Sequence, residues 1–189
     1  MVENRPQPRD DLFQVCVLAN LRAVKDPLRA ALAVELLDPA SLIQVVHLGR
    51  EYDEGLASEA HRANKDNSRY HWLGPKPRDE ALATLAQSHL LVSSSLHEGG
   101  ANAVGEAIAH GIPVLAARID GAIGLLGEDY PGYYEAGNTQ ALAALLRRSE
   151  VDPIFHGNLQ QAVEERAPLF TPQREKESWR SLLAELGCV

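Results

Sequence analysis

Short apolar runs alternate with longer stretches of helical periodicity along almost the whole chain, and few folds accept that alternation. Strand-like runs fall at Phe13–Leu18, Leu42–Leu48, Tyr70–Leu73, His89–Ser93, Ile112–Ala116 and, more weakly, Gly132–Glu135. Helical patterns fill the gaps near Pro27–Leu37, Glu54–Asn64, Arg78–Gln87, Ala101–His110 and Thr139–Ser149. Two further helical stretches follow at Asp152–Arg166 and Pro172–Leu186; in the last, Trp179, Leu182, Leu183 and Leu186 share one face. Near-continuous apolar strands separated by helices imply an α/β fold, a Rossmann-like parallel sheet with helices on both faces. Asp26–Pro27 reads as a helix start, because Asp can cap and Pro at the first helical position forfeits no donor. The 189 residues suit one such domain over 13–189, with 1–12 reading as a linker or tag.

Composition removes several function classes. No apolar run is long enough to span a bilayer, and the polar start lacks the apolar segment of a signal peptide. A net charge of −8 without any Lys/Arg run argues against nucleic acid as a partner. An anionic small ligand would therefore need local positive groups. Of the two cysteines, Cys16 reads as a small core residue and Cys188 as a loose one near the end. Nothing supports a bridge between them, and no metal-ligand spacing occurs, so the expectation is no metal, no cofactor and a cytoplasmic location.

Ligands of an open parallel sheet bind outside the carboxyl ends of its strands. That rule selects Ala19–Asp26, Gly74–Pro77, Ser94–Gly100 and Ala117–Gly121 as candidate lining. The third of these opens the most informative stretch. Glu98 and Glu106 stand eight positions apart, one before a helix and one inside it. Gly99 and Gly100 leave bare N–H groups, with that of Ala101, at the positive end of the helix, a ready site for phosphate. Val104, Ala107 and Ile108 continue an apolar face with Ala103, while Asn102 and Glu106, four apart, can face a pocket. A carboxylate at Glu106 suits two adjacent ribose hydroxyls, and one at Glu98 suits hydroxyls of a sugar beside the phosphate. The bland alternative makes both glutamates exposed helix-end charges.

The block Glu98-Gly-Gly-(five residues)-Glu106, followed by Ala-Ile-Ala-His-Gly-Ile-Pro-Val, resembles the two-glutamate motif of the glycosyl transferases group 1 family. These are retaining glycosyltransferases with two Rossmann-like domains. The chain is similar to their donor domain again at Leu18-Ala-Asn-Leu-Arg-Ala-Val-Lys-Asp, at Trp72-Leu-Gly and at Phe170-Thr-Pro…Trp179. The resemblance implies that Lys25, with Arg22, grips a diphosphate, that the loop at Gly74 meets the base, and that Glu98 holds the transferred sugar. It further implies a nucleotide-sugar donor, UDP being the family's usual nucleotide, with hexosyl or N-acetylhexosaminyl transfer. An acceptor-binding domain would precede this one, leaving the chain inactive alone. Two departures stand out. Asn20 occupies a position where the family often has Arg, and the loop after the fifth strand reads Asp120-Gly-Ala-Ile-Gly-Leu-Leu-Gly. That loop with its continuation resembles a subgroup related to selenosugar synthases.

Other residues read more plainly. His97 lines a pocket or makes a hydrogen bond; His47, His71 and His89 are satisfied histidines in or beside strands; His61 and His156 are surface residues; Trp72 belongs to the core. No Asp-x-Asp pair occurs to chelate a metal-bound diphosphate. Two alternatives stay open: a nucleotide-sugar-binding module without turnover, and half of a related UDP-sugar epimerase.

Overall fold

Strand β1 (Phe13–Leu18) is buried along its middle and pairs in parallel with β2 (Ile43–Leu48) over six residues, from Phe13–Ile43 to Leu18–Leu48. On its other edge it pairs with β4 (Leu90–Ser93), which in turn pairs with β5 (Val114–Ala117). β3 (Tyr70–Trp72) and β6 (Tyr133–Tyr134) close the two edges, giving the all-parallel order β3-β2-β1-β4-β5-β6. The computed structural model describes residues 11–187. The linker expected at the start falls largely outside them, and Cys188 does too. Cys16 is fully buried, and burial pushes its thiol up to about 12.

The sheet is covered by α1 (Arg29–Val34), α2 (Glu54–Asp66), α3 (Arg78–Ala86), α4 (Asn102–Ala109), α5 (Asp120–Leu126), α6 (Thr139–Val151) and α7 (Pro153–Arg166). Both faces of the central strands are apolar: Val15–Val17, Leu90–Val92 and Val114–Ala117 are almost wholly buried. Each fully buried Val or Leu there contributes roughly 1.5–3 kcal/mol. Where β6 leaves β5 short of partners, the Tyr130 hydroxyl donates to the Val114 carbonyl at 2.7 Å and accepts from its N–H at 3.0 Å. The last helix, α8 (Pro172–Glu185), packs on the 3-10 turn Ala167–Phe170 and leaves Trp179, Leu182, Leu183 and Leu186 exposed.

Two local expectations are corrected. Asp26 does not cap a helix: it adopts left-handed backbone (φ 43°), its carboxylate holds Arg29 at 2.7 and 3.2 Å, and α1 starts only at Arg29. The same dipeptide at Asp152–Pro153 does cap, with Asp152 accepting from the N–H groups of Ile154 and Phe155. Asp26 instead ends the 3-10 turn Ala23–Lys25 in left-handed backbone, its carboxylate taken by Arg29, while its carbonyl accepts from the Ser94 hydroxyl at 2.8 Å and from the Arg29 N–H at 3.1 Å. The second correction is α5, which forms where the sequence reads as a loop. Gly121 permits it: a Cβ there would stand 2.3 Å from the Glu98 carbonyl oxygen.

Candidate functional site

The strand order reverses between β1 and β4, the place where an open parallel sheet forms a crevice at its carboxyl ends. A cleft of about 490 Å³ occupies that crevice. Its lining includes Leu18, Ala19, Asn20 and Lys25 after β1, Ser94, Ser95 and Glu98 after β4, and Gly100 to Ala103 with Glu106 at the start of α4. Pro75, Lys76 and Ala81 form the wall beyond β3. Three cationic side chains, Lys25, Arg50 and Lys76, line it against two carboxylates, Glu98 and Glu106, although the whole chain carries −8. The cleft is thus the local positive feature that an anionic ligand needs.

Lys25 and Glu98, 73 residues apart, meet across the switch point, with Nζ donating to Oε1 at 2.5 Å. Ser95 also donates to that oxygen. Glu98 is largely buried (10% exposed) and Lys25 half-buried (33%), so the pair is screened less than a surface one. One backbone bond and one side chain set the spacing: Leu96 N–H donates to the Val24 carbonyl at 2.9 Å, and the Ser94 hydroxyl reaches the carbonyls of Asp26 at 2.8 Å and Lys25 at 3.2 Å. These bonds join the two loops.

Gly99 and Gly100 precede α4, whose N-cap Ala101 offers no side-chain cap. Neither glycine has a positive φ, and a Cβ at either would meet no atom of the protein. The fold itself demands glycine at neither position. What their bareness preserves is open approach to the first N–H groups of α4. Val104, Ala107 and Ile108 bury the opposite face, which turns Asn102 and Glu106 to the cleft. Glu106 Oε1 accepts from Arg78 Nη2 at 3.0 Å.

The floor is fixed from below by His47, which is fully buried. Its Nε2 lies 2.7 Å from the Ala19 carbonyl and its Nδ1 2.6 Å from the Tyr70 hydroxyl. A carbonyl only accepts, so the proton sits on Nε2 and Tyr70 donates to Nδ1. Burial lowers the imidazole to about 4, and the Ala19 bond opposes that only in part. Gly49 is required alongside, because a Cβ there would lie 1.8 Å from the Ala19 oxygen.

Of the residues singled out from sequence, Asn20, Lys25, Glu98, Gly100, Ala101, Asn102 and Glu106 come together in this lining, with Gly99 adjoining them. Asn20 Oδ1 accepts from the Arg50 N–H at 2.8 Å, fastening the β1 loop to the β2 loop. Arg22 does not join the cleft; it is exposed and its guanidinium lies 4.0 Å from the centre of the Tyr52 ring. Gly74 lines a neighbouring hollow with Trp72 and His61, and its φ of 70° suits glycine. His97 is exposed and outside the lining, while His156 is half-buried, its Nε2 3.2 Å from the His89 carbonyl and its ring edge-on to Phe13. Trp72 is half-buried and donates to the Gly49 carbonyl at 3.1 Å. The segment Ala117–Gly121 is spent on packing α5 and lines nothing in the cleft. Gly49, Arg50 and Tyr52 after β2 line it instead and were missed. The strand-end rule applies to every strand of a parallel sheet, and applied to β2 it would have found them.

Among the described residues there is no group of three or more His, Cys, Asp or Glu side chains placed to hold a metal, and no helix long and apolar enough to cross a membrane. Solved structures share the fold. Alr3699/HepE from Anabaena, crystallised with UDP and glucose, superposes with a TM-score of 0.73 at 20% identity, over 90% of this chain and 49% of that one. Sucrose-phosphate synthase from Thermosynechococcus elongatus gives 0.72 at 20% identity, over 93% and 46%. A glycosyltransferase from Rickettsia africae gives 0.71 at 15% identity, over 93% and 49%. The chain spans about half the length of these proteins. The sequence model of glycosyl transferases group 1 matches residues 3–169, most of the chain, and the chain belongs to that family.

Proposed function

We propose that the chain is the donor-binding domain of a retaining glycosyltransferase, holding a nucleoside diphosphate sugar, with UDP the nucleotide, in the cleft between β1 and β4. One observation carries this reading: Lys25, Glu98, Glu106 and the bare N-terminus of α4 line a single cleft at the switch point of the sheet. As the glycosidic bond breaks, charge gathers on the leaving diphosphate. Lys25 and the N–H groups at Gly99–Ala101 are donors placed in advance of that charge, so they need no reorganisation when it develops. Lys25 is held at 2.5 Å by Glu98, and an arriving diphosphate takes the ammonium over. Glu98 is then released toward hydroxyls of the transferred sugar. Glu106 accepts from the ribose diol and Asn102 lies beside it on the same face. Positive potential toward the diphosphate comes from the Lys25 ammonium and from the N–H dipoles at the start of α4. The acceptor is bound by a second domain that supplies the other wall of the cleft.

Calorimetric titration of UDP, ADP and GDP tests this. The expected result is weak binding with UDP preferred and no transfer by the chain alone. Failure of all three to bind at millimolar concentration refutes the donor site, and robust transfer by the chain alone refutes the half-enzyme reading.

A further inference from the structure

We propose that Arg78 is a latch on the nucleoside half of the cleft, keeping the Glu106 carboxylate engaged until a ribose diol takes it. The inference rests on the assignment of Glu106 to ribose. Arg78 is the first residue of α3 and its side chain is 75% exposed, yet its Nη2 reaches Glu106 Oε1, on a different helix, at 3.0 Å. Helix α3 does not account for a cation there. The N-terminal end of a helix disfavours positive charge, and the favourable acidic residues Asp79 and Glu80 follow immediately. What Arg78 does have is Glu106, which is 28% exposed and faces the cleft.

The pairing has a direct consequence for a ligand. A vicinal diol binds best to a carboxylate with both oxygens free and its full charge, since hydrogen bonds to a charged acceptor are the strong ones. While the guanidinium holds Oε1, one lone pair is taken and the charge is partly neutralised. The ribose must displace Arg78 or accept weaker bonds, and either course lowers affinity. An ion pair this exposed is weak, so the latch opens readily. It closes again when the ribose leaves. It therefore weakens the product nucleotide as well as the donor and favours release, a step that limits turnover in many enzymes. Lys25 and Glu98, deeper in the cleft, take no part in this. The latch acts on the nucleoside alone.

A neutral nucleoside isolates the effect, because its binding carries no ionic term of its own. Uridine, adenosine and guanosine are titrated against wild type, Arg78→Ala and Arg78→Lys, from about 0.01 M to about 1 M salt, over which the Debye length falls from about 30 Å to about 3 Å. For the nucleoside that binds wild type, Arg78→Ala is expected to bind about two- to five-fold tighter at low salt. Wild-type affinity should rise with salt toward that of Arg78→Ala, whose own affinity stays flat, while Arg78→Lys keeps part of the rise. Equal or weaker binding by Arg78→Ala, or a wild-type affinity independent of salt, overturns the latch and leaves the donor site standing. Absence of binding to all proteins overturns both.

Discussion

His47 and Arg78 each hold a partner at the same cleft, one from beneath its floor and one from its edge. His47 is fully buried between two partners at 2.6 and 2.7 Å, and it is neutral. Arg78 is charged, largely exposed and bound at 3.0 Å to one carboxylate. Beneath the floor no water competes, so losing one partner leaves a buried polar group unsatisfied, at a cost of about 1–3 kcal/mol. At the edge water replaces a lost partner at once, and the pair is worth between about 0 and 1 kcal/mol. The cleft thus joins a fixed base that sets distances with a rim that can yield to a ligand. Changes to the floor should appear in stability, and changes to the rim in binding.

The largest effect that would break this contrast lies at His47. Its imidazole falls from an ordinary 6.5 to about 4 in the fold, so between those values the unfolded chain binds a proton that the folded chain refuses. Stability is therefore full above about pH 6.5 and is lost as pH falls, approaching about 3 kcal/mol by pH 4. Urea unfolding of wild type at pH 7 and pH 5 should show a loss of roughly 2 kcal/mol from this group. His47→Gln should be less stable at pH 7 and lack that part of the slope. Identical slopes in the two proteins would mean His47 does not pin the floor.

Next come the two charged residues proposed to face the donor. If Lys25 grips the diphosphate as proposed, Lys25→Ala should weaken UDP by about 1.5–3 kcal/mol and uridine far less. In a two-domain enzyme that contains this domain, it should lower kcat more than it raises KM, since diphosphate charge is greatest in the transition state of the proposed transfer. If Glu106 accepts from the ribose diol as proposed, Glu106→Gln should weaken UDP and uridine alike, by roughly 10- to 150-fold. Paired titrations of both ligands separate the two assignments. Equal losses at Lys25 would make it structural, and unchanged binding at Glu106 would return it to a bland surface role.

How much of this was legible depends on whether a feature is local. The six strands were readable because buried parallel strands are apolar runs, and the strand–helix alternation brought the parallel sheet with it. Glu98, Glu106 and the glycines between them were readable because they lie within nine residues of one strand–helix junction. α5 was not. Its two glycines lower helix propensity, and the reason Gly121 is tolerated is the Glu98 carbonyl packed against it, a neighbour distant in sequence. Asp26–Pro27 misled because a capping Asp needs a free carboxylate on extended backbone, whereas Arg29 holds the Asp26 carboxylate and its backbone is left-handed. The Arg78–Glu106 pair, 28 residues apart, carries no local signature at all. Charged rim residues are the hardest to assign from sequence, because a long side chain can reach several partners from one backbone position.

Arg22 is the smallest and sharpest case. The family resemblance directs it to diphosphate in support of Lys25, with Asn20 standing where Arg is common. The structure places its guanidinium 4.0 Å from the Tyr52 ring centre, and Tyr52 lines the cleft where Arg22 does not. A cation over an exposed tyrosine contributes about 0.5–1 kcal/mol, so the arrangement holds Tyr52 in place without being fixed itself. Arg22→Ala should then cost less than about 1 kcal/mol of stability. Through Tyr52, it should alter UDP and uridine affinities equally, and by less than about five-fold. Arg22→Lys should recover little, because an ammonium lacks the flat face that stacks on a ring. A different outcome has a clear meaning. If Arg22→Ala weakens UDP much more than uridine, the guanidinium leaves Tyr52 for the diphosphate when nucleotide binds, and Arg22 joins Lys25 as a second grip. Double substitution of Lys25 and Arg22 distinguishes the cases: independent roles give additive losses, whereas a shared diphosphate gives a loss that departs from the sum.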